Sequence, residues 1–154
     1  MRIHDVTAKD LDELAPLMRA YCDFYRVDPS DEALRDLSTA LLSEPREGVQ
    51  LIARDDDGRP VGFATIYWGW QTLSAARTGL MNDLFVSPDV RGGGVGRALI
   101  DACRGRCRER GIETLIWQTA KDNHTAQRLY DGIGATREEW LDYWIPASGE
   151  LPAR

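Results

Sequence analysis

Asn82-Asp83-Leu84-Phe85-Val86-Ser87-Pro88-Asp89-Val90-Arg91-Gly92-Gly93-Gly94-Val95-Gly96-Arg97-Ala98-Leu99-Ile100 reads as an apolar strand, a turn, a glycine loop and the first turns of a helix. Pro88 ends the strand, because proline has no N–H to give to a ladder. Arg91 to Gly96 holds four glycines and few side chains, so backbone N–H groups can come close to a ligand. Val95, Leu99, Cys103 and Cys107 then recur every four residues, the spacing of a buried helical stripe. A helix that opens on glycines presents unpaired N–H groups and the positive end of its dipole, a natural anion site. Arg91 and Arg97 flank it with guanidinium groups suited to phosphate oxygens.

Two familiar phosphate patterns fail here. The P-loop requires a glycine where Arg97 stands, and the dinucleotide fingerprint requires one at Leu99. What remains is Arg-x-x-Gly-x-Gly, Arg91 to Gly96, after a strand ending Phe-Val-Ser-Pro. A second segment follows at Asn123-His124-Thr125-Ala126-Gln127-Arg128-Leu129-Tyr130-Asp131-Gly132-Ile133-Gly134-Ala135. The first resembles the acetyl-CoA signature of the GNAT N-acetyltransferase superfamily. The second resembles that family's Asn-x-x-Ala-x-x-Phe/Leu-Tyr segment. Their order and spacing also match, over essentially the whole chain.

The resemblance implies an α/β fold, a mixed and mostly antiparallel sheet with helices on both faces, and acetyl-CoA as co-substrate with no metal. It implies that Leu84, Phe85 and Val86 run beside the pantetheine arm, and that Arg91, Gly92, Gly93, Gly94, Val95, Gly96 and Arg97 hold the phosphates. It further implies that Asn123 and Ala126 complete the cofactor site, with Tyr130 near the thioester sulfur as general acid. By residue type alone, Asn123 is equally a helix cap and Tyr130 a core aromatic. Asp83 is a candidate base or substrate ligand, against the alternative of a solvated or ion-paired carboxylate. Strand alternation sends Asn82 and Asp83 to opposite faces unless a bulge intervenes.

The chemistry expected is acetyl transfer to a primary amine. A primary ammonium has a pKa of about 10.4, so it must lose a proton before attacking. Tyr21, Tyr25, Asp83 and Trp117 are the expected acceptor contacts. Phe24, Trp68, Trp70, Trp140, Tyr143 and Trp144 are further aromatic candidates, and Asp23, Asp28 and Asp142 further carboxylates. Core or interface packing competes for most of these side chains. The aromatic content favours a small-molecule amine, polyamine or amino acid. A protein N-terminus or lysine, and a non-catalytic acetyl-CoA sensor, are the rivals.

The whole chain sets the outer bounds. One domain over residues 1–146 is expected, with a loose tail over 147–154. Three cysteines without paired spacing suggest a reducing cytoplasm, and core thiols rather than metal ligands. A net charge of −6 speaks against nucleic acid, and the arginines at 104, 106, 108 and 110 read as a solvated face. No apolar run is long enough to span a membrane. A homodimer is expected from the resemblance alone.

In order, the pattern predicts a strand to Val6 and a helix from Thr7 or Asp10 to about Phe24. A second helix ends before Pro45. A hairpin follows, Val49–Arg54 and Val61–Trp68 joined at Asp55–Pro60, with a loop over Gly69–Gly79. After the glycine-loop helix come a buried strand Thr114–Thr119, a helix to about Gly132, and a last strand Arg137–Ile145.

Overall fold

The structure is a computed structural model that describes residues 1–149. Five strands form one sheet in sequence order: β1 (Arg2–Asp5), β2 (Gly48–Arg54), β3 (Pro60–Gln71), β4 (Ala76–Val86) and β5 (Thr114–Ile116). The first three pairings are antiparallel and β4–β5 is parallel. Helices α1 (Leu11–Tyr25) and α2 (Asp31–Ser43) cover one face. Helix α3 (Val95–Glu109) covers the other, with α4 (His124–Gly132) beside it.

Side-chain period sorts the two cores. On the first face Leu14, Met18 and Cys22 of α1 meet Ile52, Phe63 and Phe85. On the second, Val95, Leu99 and Cys103 of α3 meet Leu51, Ala64, Ile66 and Met81. The four-residue stripe of α3 is therefore buried as expected, Cys107 included, and all three cysteines are free thiols. Ser30 caps α2, its hydroxyl accepting from the Ala33 N–H at 3.1 Å, and Asp31 and Glu32 favour the positive end of that helix. No helix among the described residues is long and apolar enough to cross a membrane.

Three predicted elements differ. The expected loop Gly69–Gly79 is mostly ladder, with Gly69 opposite Thr78 and Gln71 opposite Ala76, and the chain reverses only over residues 72–75. Small and polar residues there line the exposed end of a hairpin rather than a free loop. The expected buried strand Thr114–Thr119 is three residues long and has an exposed, half-buried, exposed pattern. It is the edge of the sheet and packs through one side only. The expected last strand Arg137–Ile145 is absent, although the segment keeps its strand-forming composition. Trp140, Leu141, Tyr143, Trp144 and Ile145 all stay exposed, and no ladder partner lies beside them among the described residues. Of the expected tail, residues 147–149 form neither helix nor strand, and residues 150–154 lie outside the described residues.

Candidate active site

The site begins where β4 and β5 part. Their pairing runs only from Thr78↔Thr114 to Leu80↔Ile116. Two residues later β4 bulges. Thr65 faces Asp83 and Ile66 faces Met81, so Asn82 is the extra residue. In an unbroken strand, Met81 and Asp83 would share a face. The bulge separates them: Met81 enters the α3-side core, and Asp83 turns toward α1. From Met81 to Val86 no described strand lies on the outer edge of β4, so its backbone groups there face an opening.

Asp83 is half-buried in this fork. Burial pushes its carboxyl above the usual carboxylate range; hydrogen bonding with Thr65, Asn82 and Tyr21 pulls the other way without prevailing. The Asn82 Nδ2 donates to it at 3.0 Å. No arginine or lysine forms an ion pair with it among the described residues. Tyr21 and Tyr67 stand around it, each phenol driven upward by burial first and by the Asp83 charge second. Tyr21 packs edge-on against Tyr25 at 5.0 Å between ring centroids. Across the opening, burial, reinforced by the Tyr25 phenol, pushes Tyr130 up to about 12. The Trp117 ring meets Tyr130 edge-on at 5.3 Å. Tyr21, Tyr25, Asp83, Trp117 and Tyr130 thus form one arc around the fork.

The glycine loop lies at the other end of this opening. Gly92 and Gly94 have φ of 82° and 84°, a region that L side chains enter at a cost. Gly94 is the residue before α3, with no side-chain cap and no acid in the first turn. The first hydrogen bond of α3 is Ala98 N–H to the Gly94 carbonyl, at 3.0 Å. The N–H groups of Val95, Gly96 and Arg97 therefore precede the ladder and point out of the helix end. A Cβ on Gly96 would lie 2.9 Å from Leu129 Cδ2, so glycine here lets α4 approach closely. Arg91 is held in place: its Nε donates to the Val86 carbonyl at 3.1 Å, and its guanidinium lies 5.9 Å from the Phe24 ring centroid. Arg97 is exposed, loosely near Asp101. Unpaired N–H groups, two arginines and no acid in the first helical turn suit a polyphosphate such as that of CoA.

Other candidates fall elsewhere. Leu84 and Val86 pack toward the α3 core and Phe85 into the α1 core, so backbone is what this part of β4 can offer a ligand. Asn123 caps α4, its Oδ1 accepting from the Ala126 N–H at 3.1 Å. Trp68 packs on the α3 face under Arg110, whose guanidinium is 4.4 Å from its ring, and Trp70 is exposed under Arg77. Asp28 pairs with Arg19, and Asp142 accepts from Gln118. Among the four arginines at 104–110, Arg104 and Arg106 are ion-paired and Arg110 covers Trp68. Sequence reading missed Tyr67 and Thr65, and it left open the bulge that the structure places at Asn82. Thr65 did leave a trace, a hydroxyl inside an otherwise apolar run.

The glycine loop feeding α3 lies beside a strand that parts from its parallel neighbour, an anion site next to an open strand edge, and comparison with known proteins gives its class. The model of the acetyltransferase (GNAT) family matches residues 14–135. An uncharacterized N-acetyltransferase of Bacillus subtilis, YhfO, is 33% identical over 134 residues, covering 87% of this chain and 89% of its own. The crystal structure of a probable acetyltransferase superposes with a TM-score of 0.85 at 31% identity, covering 97% of this chain and all of that one. A ribosomal-protein-alanine N-acetyltransferase from Brucella melitensis superposes at 0.76 with 29% identity, covering 95% of this chain and 99% of its own. This chain belongs to the GNAT family and is an N-acetyltransferase; the family's acyl donor is acetyl-CoA.

Proposed function

We propose that the enzyme acetylates a primary amine carried by a small molecule, and that both substrates are bound together at the fork. The observation that carries this reading is Asp83: a half-buried carboxylate, ringed by tyrosines, without a cationic partner among the described residues. Such a carboxylate attracts an ammonium group, and the rings of Tyr21 and Tyr25 can face its cationic head. CoA would be held by the α3 N-terminus, Arg91, Arg97 and the free edge of β4, and it supplies an activated acetyl group as a thioester. The two sides of β4 would then serve different substrates, which supports direct transfer in a ternary complex. Cys22 is the cysteine nearest Asp83, but it is buried and burial drives its thiol upward, so it is a poor acyl carrier.

Asp83 takes one ammonium proton, leaving the nitrogen lone pair to bond the acyl carbon; the carbon–sulfur bond then breaks, and the second nitrogen proton passes to the departing thiolate, giving the amide and the free thiol of CoA. Each unit by which a carboxyl rises toward the ammonium narrows that transfer by about 1.4 kcal/mol. Tyr130 stays protonated at neutral pH and hydrogen-bonds the departing sulfur. A thiol near 8.5 is a better acid than a phenol near 12, so this tyrosine acts chiefly as a positioned donor.

A peptide α-amine is the second reading, favoured by the relative named for ribosomal-protein alanine. Thiol release from acetyl-CoA, followed across polyamines, amino acids, aminoglycosides and alanyl peptides, separates the two. Release with small amines alone supports the proposal. Release with alanyl peptides alone overturns the acceptor class, and no release with any amine overturns the transfer itself.

A further inference from the structure

Register places three polar side chains in one line across the sheet. Gln50 on β2 pairs with Thr65 on β3, and Thr65 pairs with Asp83 on β4. The next row on the same face is wholly apolar, Ile52–Phe63–Phe85. Gln50 and Thr65 are 3% and 0% exposed, so neither can be explained by hydration. Gln50 Nε2 donates to Thr65 Oγ1 at 3.3 Å and faces the Met18 sulfur at 3.8 Å. A thioether accepts and cannot donate, which fixes the amide with Nε2 on this side. The Thr65 oxygen is thereby used as an acceptor, and its own hydrogen is left to turn toward its cross-strand neighbour, Asp83. The Gln50 Oε1 has no partner among the described residues, a penalty that an aliphatic side chain would avoid.

We infer that Gln50 and Thr65 are positioning residues for acetyl transfer: Gln50 holds the Thr65 hydroxyl oxygen, and this relay turns the hydroxyl hydrogen toward Asp83 in the same cross-strand row and orients that carboxylate. This rests on the reading of Asp83 as the base. The other groups facing Asp83 are Tyr21 and Cys22 from α1, Tyr67 from β3 and Asn82 from β4, and they remain unchanged in the test variants.

The test follows the Asp83 side-chain carboxyl by carbon NMR against pH in wild type, Thr65→Val, Thr65→Ser and Gln50→Leu, alongside the pH profile of kcat/KM. Thr65→Val should move the Asp83 titration upward, since it removes a donor to the charged form, and lower kcat/KM at pH 6 by about tenfold. Thr65→Ser keeps the hydroxyl and should restore both. Gln50→Leu should move the titration less, while thermal stability stays equal or rises because the unpaired Oε1 is gone. An Asp83 titration unmoved in Thr65→Val overturns the relay. A titration that moves while the acidic limb of kcat/KM stays in place upholds the relay and overturns Asp83 as the base.

Discussion

Asp10 and Asp83 are both aspartates withdrawn from water, and their surroundings drive them in opposite directions. Asp10 is buried before α1. Burial alone would raise its carboxyl, but the Thr7 hydroxyl and N–H, the Arg54 guanidinium and His4 together hold it well below the usual range. Arg54 lies 2.7 Å away and is itself buried, and it also pairs with Glu13 at 2.5 Å and donates to the Gly58 carbonyl at 3.1 Å. Asp83 has hydroxyl and amide donors but no cation among the described residues, and burial prevails. A buried carboxylate with its own arginine is part of the scaffold. One without any cation is prepared to receive a cation from outside, and this separates a structural carboxylate from a candidate catalytic one.

Asp83→Asn should break that contrast most strongly. Loss of a general base costs roughly 10²–10⁴-fold in rate, read by thiol release at saturating acetyl-CoA. The same variant should melt higher than wild type at pH 8. Above about pH 4 the unfolded carboxyl ionises freely while the folded one resists, so wild type loses stability as pH rises through the raised folded pKa. The asparagine has no such loss, and the gap should close toward pH 4. A variant that retains full turnover removes Asp83 from the mechanism.

Asp10→Asn should do the reverse. It removes the buried charge partner of Arg54 and leaves that guanidinium to Glu13 and the Gly58 carbonyl, a cost of about 1.5–3 kcal/mol in chemical denaturation, while turnover per folded molecule is unchanged. The contribution of Asp10 is fully present above the unfolded pKa, near 4, and is lost as pH falls below it. Two carboxylates therefore tilt the stability curve in opposite senses. A loss of stability in Asp10→Asn no larger than that of an exposed pair would remove the distinction between them.

Tyr130→Phe sharpens the assignment of roles at the fork. It should lower kcat by about tenfold and leave the dissociation constant of acetyl-CoA nearly unchanged, because one hydrogen bond to developing charge is lost. An equal loss in binding would make Tyr130 a ligand contact instead. The smallest effect is expected from Tyr21→Phe, which removes one of the three hydrogen-bonding neighbours of Asp83. It should shift the acidic limb of the rate profile upward, with only a few-fold change on the plateau.

The elements legible in advance share one property: their signals are local. The stripe Val95–Leu99–Cys103–Cys107 and the turn Asp55–Pro60 each lie within a short stretch of chain, and each appears where expected. The segment Arg137–Ile145 shows the opposite case. Its composition suits a strand, but a strand forms only against a partner, and the pattern cannot show whether one is present. The reversal at residues 72–75 was hidden because small and polar residues serve a hairpin end as well as a loop.

By itself the sequence determined the family, the glycine loop that opens α3, and the residue types that acyl transfer to an amine requires. Those follow from spacing, conformational freedom at glycine, and the chemistry of side chains. Only the tertiary structure decided which way Asp83 faces. Facing depends on a single extra residue, Asn82, against its partner strand, and an unpaired bulge is visible only once β3 and β4 are aligned. The same alignment decided that Gln50, Thr65 and Asp83 stand in one row, because register joins residues that lie far apart along the chain.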